Sequence, residues 1–460
     1  MKSGVRQTYG YQLDDRFRDH FGVPDTPGIA PEFISQEAEI GYDLSCSFLP
    51  RIVAFLADCL CMAPSASSPH RFASALSTDP DPLAAALQVC RLAKEQLRAT
   101  PDLAVLFVSA QHAPQADALA MLVCEALGTE NVIGCTAEGI VGVGREVEFE
   151  PAVSLWLASW PGVFTTQLRL NYERTRDGGA IQGWPAELEG EWPADAFLLL
   201  LAEPLTFQAD LLLERLNEDR PGVPIHGGMA SGGYNPGENR LFCGREALVE
   251  GAVGVFVHGD IKLRSIVSQG CRPIGKPFVV TKAERNVIHE LGGKPALLQL
   301  KELFDTLPTR EQVLVQRNLH VGRVVSEYQA TFGQGDFLVR NVMGIDPNDG
   351  AIALGDYIRT GQTVQFHVRD QEAADAELKQ MLNVVKKSGG PQPLAGLLFA
   401  CNGRGSRMFS QSDHDAGLIA KLLGDIPLAG LFAAGEFGPV GHQNFLHGHT
   451  ASIALFEPRS

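Results

Sequence analysis

A strand–helix–strand pattern occurs three times in this 460-residue chain, each time running into a glycine-bearing segment. The first copy begins with an apolar strand over 103–109. A helix follows, with apolar residues at helical spacing (Ala118, Met121, Leu122, Cys124, Leu127). Then comes Val132-Ile133-Gly134-Cys135-Thr136-Ala137-Glu138-Gly139, and a strand over 151–157 closes the unit. The second copy has a strand over 197–201, a helix through Leu211, Leu212 and Leu216, a turn from Pro224 to Gly232, and a closing strand over 251–257. The third has a strand over 397–401, a helix through Leu418, Ile419 and Leu422, a turn from Pro427 to Glu436, and a closing strand over 450–456. Phe107 precedes Gly134 by 27 residues, Leu200 precedes Gly227 by 27, and Phe399 precedes Gly430 by 31. This length suits a strand–helix–strand unit, and near-continuous apolar strands suit sheets covered on both faces. The expected class is therefore α/β: repeated strand–helix–strand units with Gly-rich turns, forming twisted mixed sheets.

A strand-rich insertion separates the second and third copies. Residues 337–342 and 362–368 alternate like half-exposed strands around turn signals at 346–350 and 360–361. A helix is expected over 371–388. Residues 282–304 read as largely helical, broken at Gly292-Gly293. A chain this long exceeds one ordinary core. The expected divisions are an N-terminal extension of poor order at 1–70, with one helix near 42–62, then domains at 71–299 and 300–457.

The formal charge of −16 argues against nucleic-acid binding and against docking on anionic lipid. No stretch reaches the ~20 apolar residues of a membrane span. The nearest, 47–62, is interrupted by Arg51 and Asp58, and no basic region adjoins it to make a signal peptide. The nine cysteines are scattered without a C-x-x-C pair, as expected of reduced, mostly buried thiols in a cytoplasmic protein.

Words along the chain carry a resemblance. In the N-terminal half they are Leu106-Phe107-Val108-Ser109-Ala110-Gln111-His112, Gly134 to Gly139, Pro151 to Leu155, Gly227-Gly228-Met229-Ala230-Ser231-Gly232, and Ser268 to Gly275. In the C-terminal half they are Arg340 to Asp346, Cys401-Asn402-Gly403-Arg404-Gly405, and Gly435 to Gly441. In this order, over roughly 71–457, they resemble the FIST family of sensory domains. The resemblance implies a non-enzymatic sensor of a small ligand, such as an amino acid or a related carboxylate. The chain has no kinase, cyclase or DNA-binding signature, so the output falls to a separate partner such as a histidine kinase or a cyclic-nucleotide enzyme. Some members bind haem and respond to nitric oxide, which makes a haem sensor the alternative. No F-box-like segment is evident, so the role of the F-box branch is not carried over.

Ligands of open α/β sheets sit at the carboxyl ends of strands, and glycine lets backbone N–H groups approach them. The ligand-site candidates are therefore Cys135, Thr136, Glu138 and Gly139 from the first turn, Met229 and Ser231 from the second, and Glu436 from the third. Asn402 and Arg404 join them from the strand end at 401. Arg404 offers a fork suited to a carboxylate, and Glu138 and Glu436 offer partners for an ammonium group; the competing reading pairs Arg404 with one of those glutamates. No set of side chains has metal-ligand spacing, and no cofactor is required. Were haem to bind, His414, His442, His447 and His449 would be the axial candidates. Asp413-His414-Asp415 reads as a helix start capped by Ser412 or Asp413. An enzyme reading would use Cys135 or Cys401 as nucleophile with His112 or His226 as base, but no catalytic signature joins them.

Overall fold

The structure is a computed structural model that describes residues 70–459 except 177, 330 and 334. The expected N-terminal extension and its helix near 42–62 fall outside the described residues.

The first copy contains β1 (Arg71–Ser77), α1 (Pro82–Leu97), β2 (Leu103–Ser109), α2 (Ala116–Leu127), β3 (Val132–Ala137), a hairpin of β4 (Gly139–Gly142) and β5 (Arg145–Glu148), and β6 (Val153–Ser159). The second contains β7 (Val163–Thr175), β8 (Gly178–Gln182), β9 (Phe197–Ala202), α3 (Ala209–Asp219), β10 (Ile225–Met229), a hairpin of β11 (Leu241–Cys243) and β12 (Glu246–Leu248), and β13 (Ala252–Gly259). The third opens with β14 (Ile261–Ser268) and is interrupted by a run of strands and helices. These are β15 (Cys271–Glu284), β16 (Val287–Leu291), β17 (Lys294–Pro295), α4 (Ala296–Thr306), α5 (Thr309–Asn318), β18 (Leu319–Val324), β19 (Phe337–Asp346), β20 (Ala351–Leu354) and β21 (Thr363–Arg369). The copy resumes with α6 (Gln371–Lys387), β22 (Ala395–Cys401), α7 (His414–Leu423), β23 (Leu428–Ala433), a hairpin of β24 (Glu436–Val440) and β25 (Gln443–His447), and β26 (Ala451–Pro458).

The three copies build the same sheet. Strand orders β1-β6-β2-β3, β7-β13-β9-β10 and β14-β26-β22-β23 share one pattern: two antiparallel pairings, then one parallel pairing across the helix. Each copy then gives its hairpin away. The β4–β5 hairpin of copy one extends the sheet of copy three through β23. The β11–β12 hairpin of copy two extends copy one through β3, and the β24–β25 hairpin of copy three extends copy two through β10. This cyclic exchange binds the copies into one compact unit, and the sheets cross the expected division near residue 300.

Inner faces of all three sheets share one apolar core, including Phe107, Trp156, Phe197, Val255, Phe399 and Phe456. Helices cover the outer faces, each by its own apolar stripe: α1 and α2 over copy one, α3 over copy two, α6 and α7 over copy three. Asp81 caps α1 by accepting from Ala84 N, with Pro82 opening its first turn.

The repeated glycines lie inside strands, not in turns. Gly134, Gly227 and Gly430 each face the parallel neighbour strand. A β-carbon there would stand 2.0 Å from the Leu106 carbonyl oxygen, 1.7 Å from that of Leu200 and 1.9 Å from that of Leu398. The register partners are thus Leu106 and Leu398, one residue before Phe107 and Phe399.

The insertion is a barrel. β15, β21, β18, β19, β20 and β16 pair antiparallel in that order, and β16 returns to β15. Its strands over 337–346 and 363–369 and the helix that follows match the expected elements. The helical expectation for 282–304 is corrected: it is strand to Pro295, with only α4 helical. Gly292 and Gly293, at φ 55° and 78°, form the two-residue turn of the β16–β17 hairpin, because both positions demand the left-handed region.

Candidate functional site

The hairpin exchange brings the carboxyl ends of β3, β10 and β23 to one junction. Ser231 joins all three: its hydroxyl accepts from Glu138 N at 3.0 Å and donates to the Phe432 carbonyl. Met229 N donates to Gly435 O at 2.8 Å, and Ala434 N returns a bond to Met229 O at 3.1 Å. The three strand ends meet through this exchange of hairpins.

Several predicted residues serve this framework. Cys135 is fully buried in the shared core. The Thr136 hydroxyl accepts from Arg240 N at 2.9 Å, pinning β3 beside β11. Gly139 lies under the Phe432 ring, 2.6 Å from where its β-carbon would stand. Met229 packs beneath α3. Glu138 is half-buried and paired with Arg407, and Tyr234 Oη donates to it at 3.2 Å.

Arg404 is wholly buried, and its fork is taken. Nε and Nη2 donate to Asp415 at 2.6 and 2.8 Å, and Nη1 reaches the His449 carbonyl at 3.4 Å. Neither sequence reading of Arg404 describes this pairing; its partner is Asp415 rather than Glu138, Glu436 or a free ligand carboxylate. Burial works against the Arg404 charge, but Asp415 beside it keeps the guanidinium protonated. Burial likewise opposes Asp415 ionisation, and Arg404 outweighs it, holding that carboxyl well below the usual range. His414 adds Nδ1 to Asp415 Oδ1 at 2.8 Å and Nε2 to Asp375 Oδ1 at 3.0 Å. Asp413 occupies the cap position of α7 without capping it; its carboxylate accepts from Glu146 N instead. Glu146 caps α7 from β5, accepting from Asp415 N and Ala416 N, both at 2.9 Å.

Beside this buried pair, Arg369 at the end of β21 is half-buried and meets no carboxylate among the described residues. Its Nη1 donates to His449 Nδ1 at 2.7 Å and to Gly403 O at 3.5 Å. An acceptor role for Nδ1 places the His449 proton on Nε2. His449 stands edge-on to His320, ring centroids 5.0 Å apart. Burial, then the neighbouring His320 and Arg369, keeps His449 neutral; burial takes His320 to about 4. Glu436 is wholly buried. Its Oε2 accepts from Thr450 N at 3.1 Å, and its Oε1 meets no hydrogen-bond partner. Burial drives its carboxyl well above the usual range, which favours the protonated form. Cys401 lies next to it, and burial and then Glu436 push this thiol to about 12. Gly403 completes the group: a β-carbon there would stand 3.0 Å from Arg369 Nη1, 3.3 Å from His449 Nδ1 and 3.7 Å from Cys401 Sγ. Asn402, half-buried, accepts from the Cys401 thiol at 3.8 Å.

The remaining histidines scatter. His447 is buried with Nε2 on Gly438 O at 2.9 Å, and His442 is exposed. His226 is wedged between Ser265 and Ser452 at 2.7 and 3.0 Å. No hydrogen bond joins His112 or His226 to Cys135 or Cys401. Among the described residues no group of three His, Cys, Asp or Glu is placed to hold a metal ion.

The structure therefore brings Asn402, Glu436 and His449 together around residues the sequence did not mark: Arg369, His320 and Cys401's neighbour Gly403. Arg369 ends a barrel strand, and nothing local in the sequence distinguishes it from a solvated strand-end arginine. Asp415 was visible only as part of a helix start.

Two family models match the chain. The FIST N domain family matches residues 102–294 and the FIST C domain family residues 296–439. The uncharacterized protein Rv0628c of Mycobacterium tuberculosis (strain ATCC 25618 / H37Rv) is 47% identical over 387 residues, covering 84% of this chain and 99% of the relative. The uncharacterized protein Mb0898c of Mycobacterium bovis (strain ATCC BAA-935 / AF2122/97) is 42% identical over 387 residues, covering 84% of this chain and 98% of the relative.

Proposed function

This chain belongs to the FIST family, whose domains are sensory, ligand-binding domains of signal transduction, and from that premise we propose that it is a cytoplasmic receptor for a small carboxylate, read by a separate signalling partner. The observation that carries the ligand class is Arg369, a half-buried guanidinium with no carboxylate partner among the described residues. A cation in that setting favours an incoming anion, which needs no existing pair to be broken. Burial favours the protonated form of Glu436, which can then donate, and burial keeps the His449 and His320 rings in their neutral form. An amino acid would engage the site through its carboxylate. A sensor rather than an enzyme fits the thiols: burial raises Cys135 far above, and Cys401 to about 12, so neither is a ready nucleophile at neutral pH.

The direct test is calorimetric titration of the full chain with a panel of amino acids and simple carboxylates, beside the corresponding amides. Saturable binding of a carboxylate but not its amide, lost in Arg369→Gln, is the expected result. Equal binding of acid and amide, or binding untouched by Arg369→Gln, would overturn the assignment.

A further inference from the structure

The second copy lacks an element that the other two possess. In copies one and three a pair of helices covers the outer sheet face, α1 beside α2 and α6 beside α7. Among the described residues of copy two, α3 is the one α-helix. The place of its companion is taken by β8 and the segment carrying Trp184 and Trp192. These fill the space incompletely, and a concave pocket of about 370 Å³ remains between them and α3. Its size falls among small-molecule sites.

The walls have a definite chemistry. Ile181, Leu188 and Leu212 line the pocket together with the two indoles, whose rings lie 6.2 Å apart at 49°. Trp192 is fixed by its Nε1 donating to Leu188 O at 2.9 Å. Arg220 closes the end of α3, its guanidinium 5.2 Å from the centre of the Trp192 ring. It donates only to backbone carbonyls, Gly190 O at 2.7 Å and Asp219 O at 3.0 Å, and its Nε has no partner. Arg220 pairs with no carboxylate among the described residues. The acidic residues of the lining, Glu189 and Asp219, are exposed at the rim, and Arg215 is paired with Glu218.

We propose that this pocket is a second ligand site, which takes a small amphipathic anion: an aromatic ring packed against Trp184 and Trp192, with its carboxylate on Arg220. Two indoles receive a flat apolar body at little ordering cost, and an arginine already lying over one of them offers a charge-assisted contact. The site is separate from the group around Arg369, and its existence does not depend on the function proposed for that group.

Intrinsic fluorescence tests it with the whole chain. Of the four tryptophans, Trp156 and Trp160 are sealed in the core, so changes on ligand addition report Trp184 and Trp192. The probes are 3-phenylpropionate and its uncharged amide, with excitation where only indole absorbs. The expected result is a saturable change in emission and protection from acrylamide quenching, with the amide about tenfold weaker. Arg220→Gln should bring acid and amide to equal affinity, and Arg220→Lys should restore part of the preference. The emission response of Trp184 and Trp192 should persist in Arg369→Gln, whatever that variant does to binding at its own site. No saturable response up to about 10 mM, equal affinity for acid and amide in the unaltered chain, or loss of the response in Arg369→Gln would each overturn the proposal. The acid–amide comparison decides the matter even should Arg220→Gln fail to fold.

Discussion

Arg404 and Asp415 form a two-point ion pair sealed from solvent, with Nε–Oδ2 at 2.6 Å and Nη2–Oδ1 at 2.8 Å. The pair ties the turn after β22 to the first turn of α7, next to the junction where the three copies meet. Breaking one side leaves a buried charge without its principal partner: Asp415 keeps His414, and Arg404 keeps the His449 carbonyl. Arg404→Met or Asp415→Leu alone should each lower stability by about 3–5 kcal/mol, and the double variant should recover much of the loss. Urea unfolding of the three variants measures the difference.

The Ser231 side chain, after β10, bonds to both other copies, at Glu138 N and at the Phe432 carbonyl of β23. Ser231→Ala would strip Glu138 N of its acceptor and the Phe432 carbonyl of a donor, at about 1–3 kcal/mol. Ser231→Thr should retain both bonds and most of the stability, as thermal denaturation would show.

Glu146 sets a pH dependence. Burial and then Asp415 raise its carboxyl to about 7, above its ordinary value of 4.5. The folded protein then holds this proton more tightly than the unfolded chain. The contribution is fully present below the ordinary value and is lost as pH rises through about 7. Glu146→Gln should remove it, so that the stability difference between variant and parent shifts by roughly 1–3 kcal/mol from pH 4.5 to 8. Chemical denaturation at stepped pH gives the curve, and a flat difference would contradict the assignment.

Arg369 and Gly403 should separate binding from folding. Arg369→Gln removes only the bonds to His449 and Gly403 O, so stability should stay within about 1 kcal/mol while carboxylate binding is lost. Gly403→Ala places a methyl group among Arg369, His449 and Cys401 and should weaken the same ligands by about tenfold or more. Melting curves with and without ligand read both effects.

Thiol labelling orders the described cysteines. Cys135, Cys271 and Cys401 are buried with raised thiols, whereas Cys243 is half-exposed. Iodoacetamide at pH 8 should modify Cys243 well before those three, as peptide mass mapping would reveal.

The three units were legible because each is local: an apolar strand, a helix with its stripe and a second strand lie within a few dozen residues. The glycines at 134, 227 and 430 were visible too, but their reason was not, since it lies in a carbonyl on the neighbouring strand. Reading them as turn residues put Cys135 and Thr136 in a pocket, when both belong to a buried strand. Residues 282–295 misled for a related reason: their apolar spacing does not distinguish helix from twisted barrel strand, and Gly292-Gly293 was the better guide.

The sequence by itself determined the α/β class, the family and the repeated sheet-building unit, because period and strand composition act over short distances. Tertiary structure alone decided which hairpin joins which sheet. It also chose Asp415 as the partner of Arg404 and set Arg369 beside His449. Those relationships join residues such as Ser231 and Phe432, 201 positions apart, or Glu146 and Ala416, 270 apart. A side chain's charge and burial at such contacts depend on what the whole chain brings against it, and no window of sequence contains that.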